Sequence, residues 1–227
     1  MPDPTLALAT KIATVHHRLG DLYGYPSWQP LGQPAIDELI GTFLSQNTSD
    51  ANASRAFASL KAAYPTPQAV MDAPTGELAA IIRSGGLAQQ KAPRIQAALR
   101  AIYNERGDFD LDWLAELPVD EARAWLVRLD GVGNKTASIL LLFGFQRPAF
   151  PVDTHVHRLS RRLGLAPATA SPDKVMRLIE DHASPASFYP LHLNLIRHGR
   201  AVCKAQRPRC PECVLATICD WRRANPP

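Results

Sequence analysis

Residues 129–158 read LDGVGNKTASILLLFGFQRPAFPVDTHVHR, a stretch that sets an amine, Lys135, and a carboxylate, Asp153, at two successive helix starts. Ahead of it, Asp120 to Leu129 is expected to be helical, because Ala122, Trp125, Leu126 and Leu129 share one apolar face at helical spacing. Gly131 and Gly133 then break the helix. Glycine tolerates positive φ and lets a ligand approach the backbone, so Gly131-Val132-Gly133 is expected to turn the chain with amide N–H groups pointing outward. Asn134 serves as the N-cap of a helix from Lys135 to Phe143. That helix is apolar on nearly every side after Ser138, so it is buried while its N-terminal end stays at the surface.

A helix start beside a glycine turn is an anion site, since unpaired N–H groups and the macrodipole both favour a phosphate. The same field, with partial burial, disfavours the ammonium form of Lys135. A free amine there is a nucleophile for an aldehydic carbon. Asp153 follows Pro151-Val152 and precedes Thr154, which is where a helix cap sits. Its pairing with Lys135 in one stretch points beyond capping, to a carboxylate that stabilises a developing cation on a substrate.

The chain of 227 residues is 46% hydrophobic and balances 25 Lys and Arg against 21 Asp and Glu, a net charge of +4. It is long enough for one large or two small cores. The mild excess of base suits a polyanion partner and equally suits an ordinary soluble protein. No run of 18 apolar residues occurs, and MPDPTLALATKIATV has neither a basic leader region nor a small-residue cleavage site. An intracellular protein, cytoplasmic or nucleoid-associated, is therefore expected, with no membrane partner.

Outward from the central stretch the pattern stays helical. Thr5 to Leu19 forms an amphipathic helix, and Tyr23 to Pro34, with Pro26, Pro30 and Pro34, reads as an extended connector at a domain boundary. Ile36, Leu39, Ile40 and Phe43 mark the face of a helix ending near Ser45; the polar run through Asp50 supplies a loop, with Ser49 or Asp50 capping the helix to Ala63. Two short helical pieces lead to Gly85-Gly86. There Leu87, Lys91 and Arg94 offer either a second phosphate site or a solvated face. Helices over Pro172–His182 and Leu191–Lys204 follow. No segment alternates with period two, so the whole chain is read as all-α.

Cys203, Cys210, Cys213 and Cys219, with six, two and five residues between them, are all the cysteines in the chain. Their clustering argues against disulfides and for one metal centre. Four thiolates suit a tetrahedral zinc as well as an iron–sulfur cubane, so coordination chemistry leaves the two open.

LDGVGNKTA followed by VDTHVHR resembles the helix-hairpin-helix and catalytic-aspartate segment of the endonuclease III family of DNA glycosylases, and the cysteine spacing is similar to that family's [4Fe-4S] loop. The family has Pro where this chain has Asp130, which sets a negative charge beside the phosphate site. The resemblance implies two helical domains with an iron–sulfur cluster loop: residues 28–148 holding the hairpin, and a discontinuous domain of 1–27 and 149–227. It implies Lys135 and Asp153 as the catalytic pair and a [4Fe-4S] cluster on Cys203, Cys210, Cys213 and Cys219. Among DNA contacts it implies Gln46 and Asn47, one of which fills the base stack, with Leu87, the Gly131-Val132-Gly133 turn and Thr136. His155 and Arg158 join them, although both also suit a core. The implied activity is a monomeric bifunctional glycosylase and abasic-site lyase, acting on double-stranded DNA that carries oxidised pyrimidines or abasic sites. Two rivals are a monofunctional adenine mismatch glycosylase, which generally lacks the lysine, and a noncatalytic DNA-binding module with a zinc-stapled tail.

Overall fold

The structure, a computed structural model, describes residues 4–30 and 32–226; residues 1–3 and 227 of the expected discontinuous domain, and Leu31 of the connector, lie outside the described residues. Among the described residues every regular element is helical, and the protein is all-α. It divides into two compact units, Met1–Gln29 with Pro148–Pro227, and Pro30–Arg147. The first helix, α1, spans Pro4–Tyr23 and buries Ile12, Val15 and Leu19.

The unit Pro30–Arg147 holds α2 (Ala35–Ser45), α3 (Asp50–Ala63), α4 (Pro67–Asp72), α5 (Thr75–Ile81), α6 (Ala88–Arg106), α7 (Val119–Val127) and α8 (Asn134–Ile139). Ile36, Leu39, Ile40 and Phe43 are buried along α2, the face that their spacing marks out. Ser49 caps α3, its hydroxyl accepting the Asn52 N–H at 3.3 Å. Thr66 caps α4 in the same way, ahead of Pro67 at the first helical position. Gln96 on α6 is fully buried; its amide donates to the carbonyls of Val70, Met71 and Ala73 and accepts the Thr75 hydroxyl at 2.6 Å. One side chain thus satisfies the end of α4 and the entry to α5. Arg147 closes the unit by donating to the carbonyls of Ala115 and Leu117.

The segment after the hairpin is not one continuous α-helix. α8 ends at Ile139 and the chain passes into a π-helical turn over Leu140–Gly144. A π turn carries more residues per revolution, which narrows the angle between successive side chains. Leu140, Leu141 and Leu142 are accordingly all buried.

The other unit combines α1 with α9 (Thr154–Leu163), α10 (Pro172–His182), α11 (Phe188–Ala201) and α12 (Asp220–Ala224). α1 and α9 both pack on α11, and α12 packs on α9. Gly164 ends α9 in the left-handed region at φ 74°, where a side chain would run into Asp220. Phe150 and Phe188 meet edge to face with ring centroids 5.5 Å apart.

Candidate active site and the cysteine-lined cavity

The hairpin turn is set by Gly131, at φ 79°, in a place where a Cβ would stand 2.9 Å from the Phe43 ring and 3.2 Å from Arg94. No other residue fits that conformation and that space. Val132 is buried and its N–H is used internally, donating to Leu129 O at 3.0 Å, so it does not point outward as expected. Gly133, extended and exposed, is the cap of α8, one residue earlier than the Asn134 expected from sequence. Its backbone already has the extended geometry of a cap, which lets Asn134 enter the helix. The N–H groups left for an anion are those of Gly133 and the first turn of α8.

Lys135 stands in that first turn and is exposed, not partly buried. The next position, Thr136, is 5% exposed and faces inward. A single step along the helix turns the side chain from solvent to core, which is why an apolar helix can present one amine at its mouth.

The two amides of the α2–α3 loop have different surroundings. Gln46 donates to Gly131 O at 3.1 Å and approaches the Thr136 hydroxyl at 3.5 Å, tying the loop to the hairpin. Asn47 is exposed and in the left-handed region at φ 53°. A second non-glycine residue in that region is Leu87, at φ 51° and 47% exposed, where α6 begins. Lys91, read with Leu87 and Arg94 as either a phosphate site or a solvated face, does not reach the surface: it is 3% exposed and donates to Leu44 O and Gly85 O, both at 2.7 Å. Burial holds its pKa below the ordinary lysine value.

In the other unit, Asp153 caps α9 with its carboxylate accepting the Val156 N–H at 2.7 Å. That bond uses one oxygen, and the half-buried side chain has a second. Arg158 donates to Gly199 O at 3.0 Å and to Cys203 O at 2.9 Å, and stands 3.1 Å from the His155 ring nitrogen. Gly199 makes room for this pair, since a Cβ there would lie 2.9 Å from His155. His155 and Arg158 therefore brace α9 against α11 and the start of the cysteine tail.

Cys203, Cys210, Cys213 and Cys219 line a single cavity, walled also by Leu159, His198 and Leu215. Burial pushes the Cys213 thiol up to about 11, and the other three thiols add to the shift, so all four stand within electrostatic reach of one another. Arg162, Arg18 and His198 also hold this tail. Arg162 donates to Lys204 O and Ala205 O at 2.7 and 2.8 Å, and Arg18 on α1 reaches Thr217 at 2.6 Å. His198, fully buried, places one ring nitrogen 3.3 Å from Cys213 Sγ and the other 3.1 Å from the Tyr23 hydroxyl. Burial pushes its pKa down to about 4. The signal available for Arg162 was its place in the last turn of a helix, where a cation near free carbonyls is favourable.

Residues 40–185 match the family model of the HhH-GPD superfamily base excision DNA repair proteins, the class to which the helical units and the hairpin answer. The chain is 37% identical over 185 residues to endonuclease III of Thermotoga maritima, covering 82% of each, and 33% identical over 202 residues to endonuclease III of Bacillus subtilis, covering 89% of this chain and 88% of that one. It superposes on a trapped endonuclease III–DNA covalent intermediate, an estranged-adenine complex, with a TM-score of 0.82 and 30% identity over 95% of this chain and 97% of the other. Within that superfamily, the chain belongs to the endonuclease III family. Among the described residues no helix is long and apolar enough to cross a membrane.

Proposed function

We propose that this chain removes oxidised pyrimidines from duplex DNA and then cuts the strand at the abasic site, as a bifunctional glycosylase and lyase of base excision repair. The observation that carries this reading is Lys135, an exposed primary amine in the first turn of α8, in a chain 30% identical to a protein trapped covalently on DNA. Chromosomal DNA as substrate sets its work inside the cell.

A damaged base unstacks more cheaply than a sound pair, so extrusion supplies part of the selectivity. Asn47, exposed and without the tether that fixes Gln46, is the amide suited to fill the vacated stack. The lone pair of Lys135 Nζ attacks C1′ as the C1′–N bond to the base breaks. The base leaves with the bonding electrons and takes the proton that the amine gives up. Cationic character that develops on the sugar is stabilised by the Asp153 oxygen not held by Val156. The sugar ring opens to a Schiff base, loss of a C2′ proton forms the C2′–C3′ double bond, and the 3′ phosphate departs. Water then hydrolyses the Schiff base and frees Lys135.

The donor set fits a [4Fe-4S] cluster on Cys203, Cys210, Cys213 and Cys219. Four thiols share one cavity, and their spacing in sequence is similar to the family's cluster loop. Bound, the cluster supplies a staple for the tail, which carries the exposed Lys204, Arg207 and Arg209 towards a phosphate backbone.

Borohydride trapping on abasic or thymine-glycol duplex tests the reading. Wild-type protein is expected to give a covalent adduct, and Lys135→Ala to lose it by about a hundredfold or more. An undiminished adduct in the variant removes Lys135 as nucleophile, and base release without any adduct makes the enzyme monofunctional. A zinc protein is colourless and a cubane brown, so the colour of the purified protein decides the metal.

A further inference from the structure

We infer that Lys91 is a positioning residue that clamps together the two turns carrying Asn47 and Leu87, and so sets the spacing at which the protein opens a base stack. This rests on the reading of Asn47 and Leu87 as DNA contacts.

The geometry is specific to Lys91. Its ammonium group is buried and donates to Leu44 O and Gly85 O at 2.7 Å each. Leu44 lies in the last turn of α2, where the carbonyls have no helical partner, and a cation there meets the negative end of the helix. Gly85 ends the 3₁₀ turn Ile82–Gly85. Asn47 follows Leu44 by three residues and Leu87 follows Gly85 by two. A single side chain therefore holds the root of both turns, within one unit and from a third element, α6.

Both tips are conformationally costly. Asn47 and Leu87 are non-glycine residues at φ 53° and 51°, a region that persists only where the surroundings over-determine it. Leu87 is 47% exposed, so burial offsets that conformation only in part. The approach of the two turns is also built in: a Cβ on Gly85 would stand 3.1 Å from the Ala56 side chain and 3.5 Å from Leu44 O. Glycine lets the backbones close up, and the lysine bridges them. Lys91 lies too deep to touch DNA, so its effect on catalysis runs through the two tips.

The consequence is an asymmetry between steps. Removing a base from duplex DNA needs extrusion, whereas cutting at a preformed abasic site has no base to extrude. Lys91→Met keeps the apolar stem and removes the donors. Single-turnover excision of thymine glycol from duplex is expected to fall roughly tenfold to a hundredfold, the scale on which misplacement of about 1 Å acts. Borohydride trapping on abasic DNA is expected to stay within about threefold of wild type. Fluorescence of a 2-aminopurine opposite the lesion, which rises on unstacking, is expected to lose its increase on protein binding. Lys91→Gln, which keeps one donor pair, is used if the methionine variant does not fold, with the same asymmetry expected at smaller size. Equal loss of excision and trapping, or unchanged excision, overturns the clamp. Absence of an adduct with wild-type protein instead removes the catalytic reading, and the inference falls with it.

Discussion

Asp130 is an exposed carboxylate next to the Gly131–Gly133 turn, where a phosphate is proposed to meet the Gly133 N–H and the first turn of α8. A like charge beside a bound phosphate weakens the contact by an amount that salt screens. Asp130→Asn is therefore expected to tighten binding to an abasic-analogue duplex by about threefold to tenfold at low salt, with the two proteins converging as salt rises. Anisotropy titrations at two ionic strengths measure this, and identical affinities at low salt would show that no phosphate comes near. Gly131 is the opposite case, because its role is steric. Gly131→Ala meets both an unfavourable φ of 79° and the Phe43 ring, and is expected to cost about 1–3 kcal/mol in denaturant unfolding. A loss below 0.5 kcal/mol would mean that the turn relaxes freely, on the order of a surface substitution.

Elements whose determinants lie within a few residues were legible in the chain. Ser49 and Asp153 are caps because a short polar side chain precedes a helical run and can reach the N–H three residues on. The apolar face of α2 followed from spacing alone. At the start of α8 residue type pointed to Asn134 as the cap, but backbone geometry places the cap at Gly133. Lys91 was misread because one of its partners, Leu44 O, lies 47 residues away, and a lysine near a glycine turn looks the same in sequence whether it faces solvent or core. The cysteines were legible as a group, since four thiols in a short tail have few other uses; the hold of Arg162 on them was not, because its acceptors are backbone carbonyls that no residue type announces. Gln96 shows the same blindness and allows a clean test. Gln96→Leu fills a similar volume but strips three carbonyls and the Thr75 hydroxyl of their partner. It is expected to destabilise the protein by about 2–4 kcal/mol, as a buried polar network left half satisfied does. A midpoint of urea unfolding equal to wild type would show that water replaces the amide.

Across the whole molecule, the unit containing Asp153 depends on the cysteine tail more than its short helices suggest. Arg158 and Arg162, both on α9, reach the carbonyls of Cys203, Lys204 and Ala205, while Lys11 and Arg18 on α1 reach Asp220 and Thr217. The tail between Cys203 and Cys219 has only 3₁₀ turns of its own, so these bonds, with the cluster proposed on its cysteines, hold it. Asp153 begins α9, and its aim therefore depends on the same lattice of contacts. Cys213→Ser is expected to free the tail, exposing Lys204, Arg207 and Arg209 to trypsin, while peptides of Pro30–Arg147 stay protected. Excision should fall with tail order, since a loosened α9 misplaces the carboxylate, and a displacement of about 1 Å costs up to a hundredfold. Limited proteolysis and single-turnover excision on the same preparation check both parts. Rapid cleavage of the tail with excision unchanged would show that α9 keeps Asp153 in place without it, and a tail that stays resistant would show that the basic lacing alone suffices.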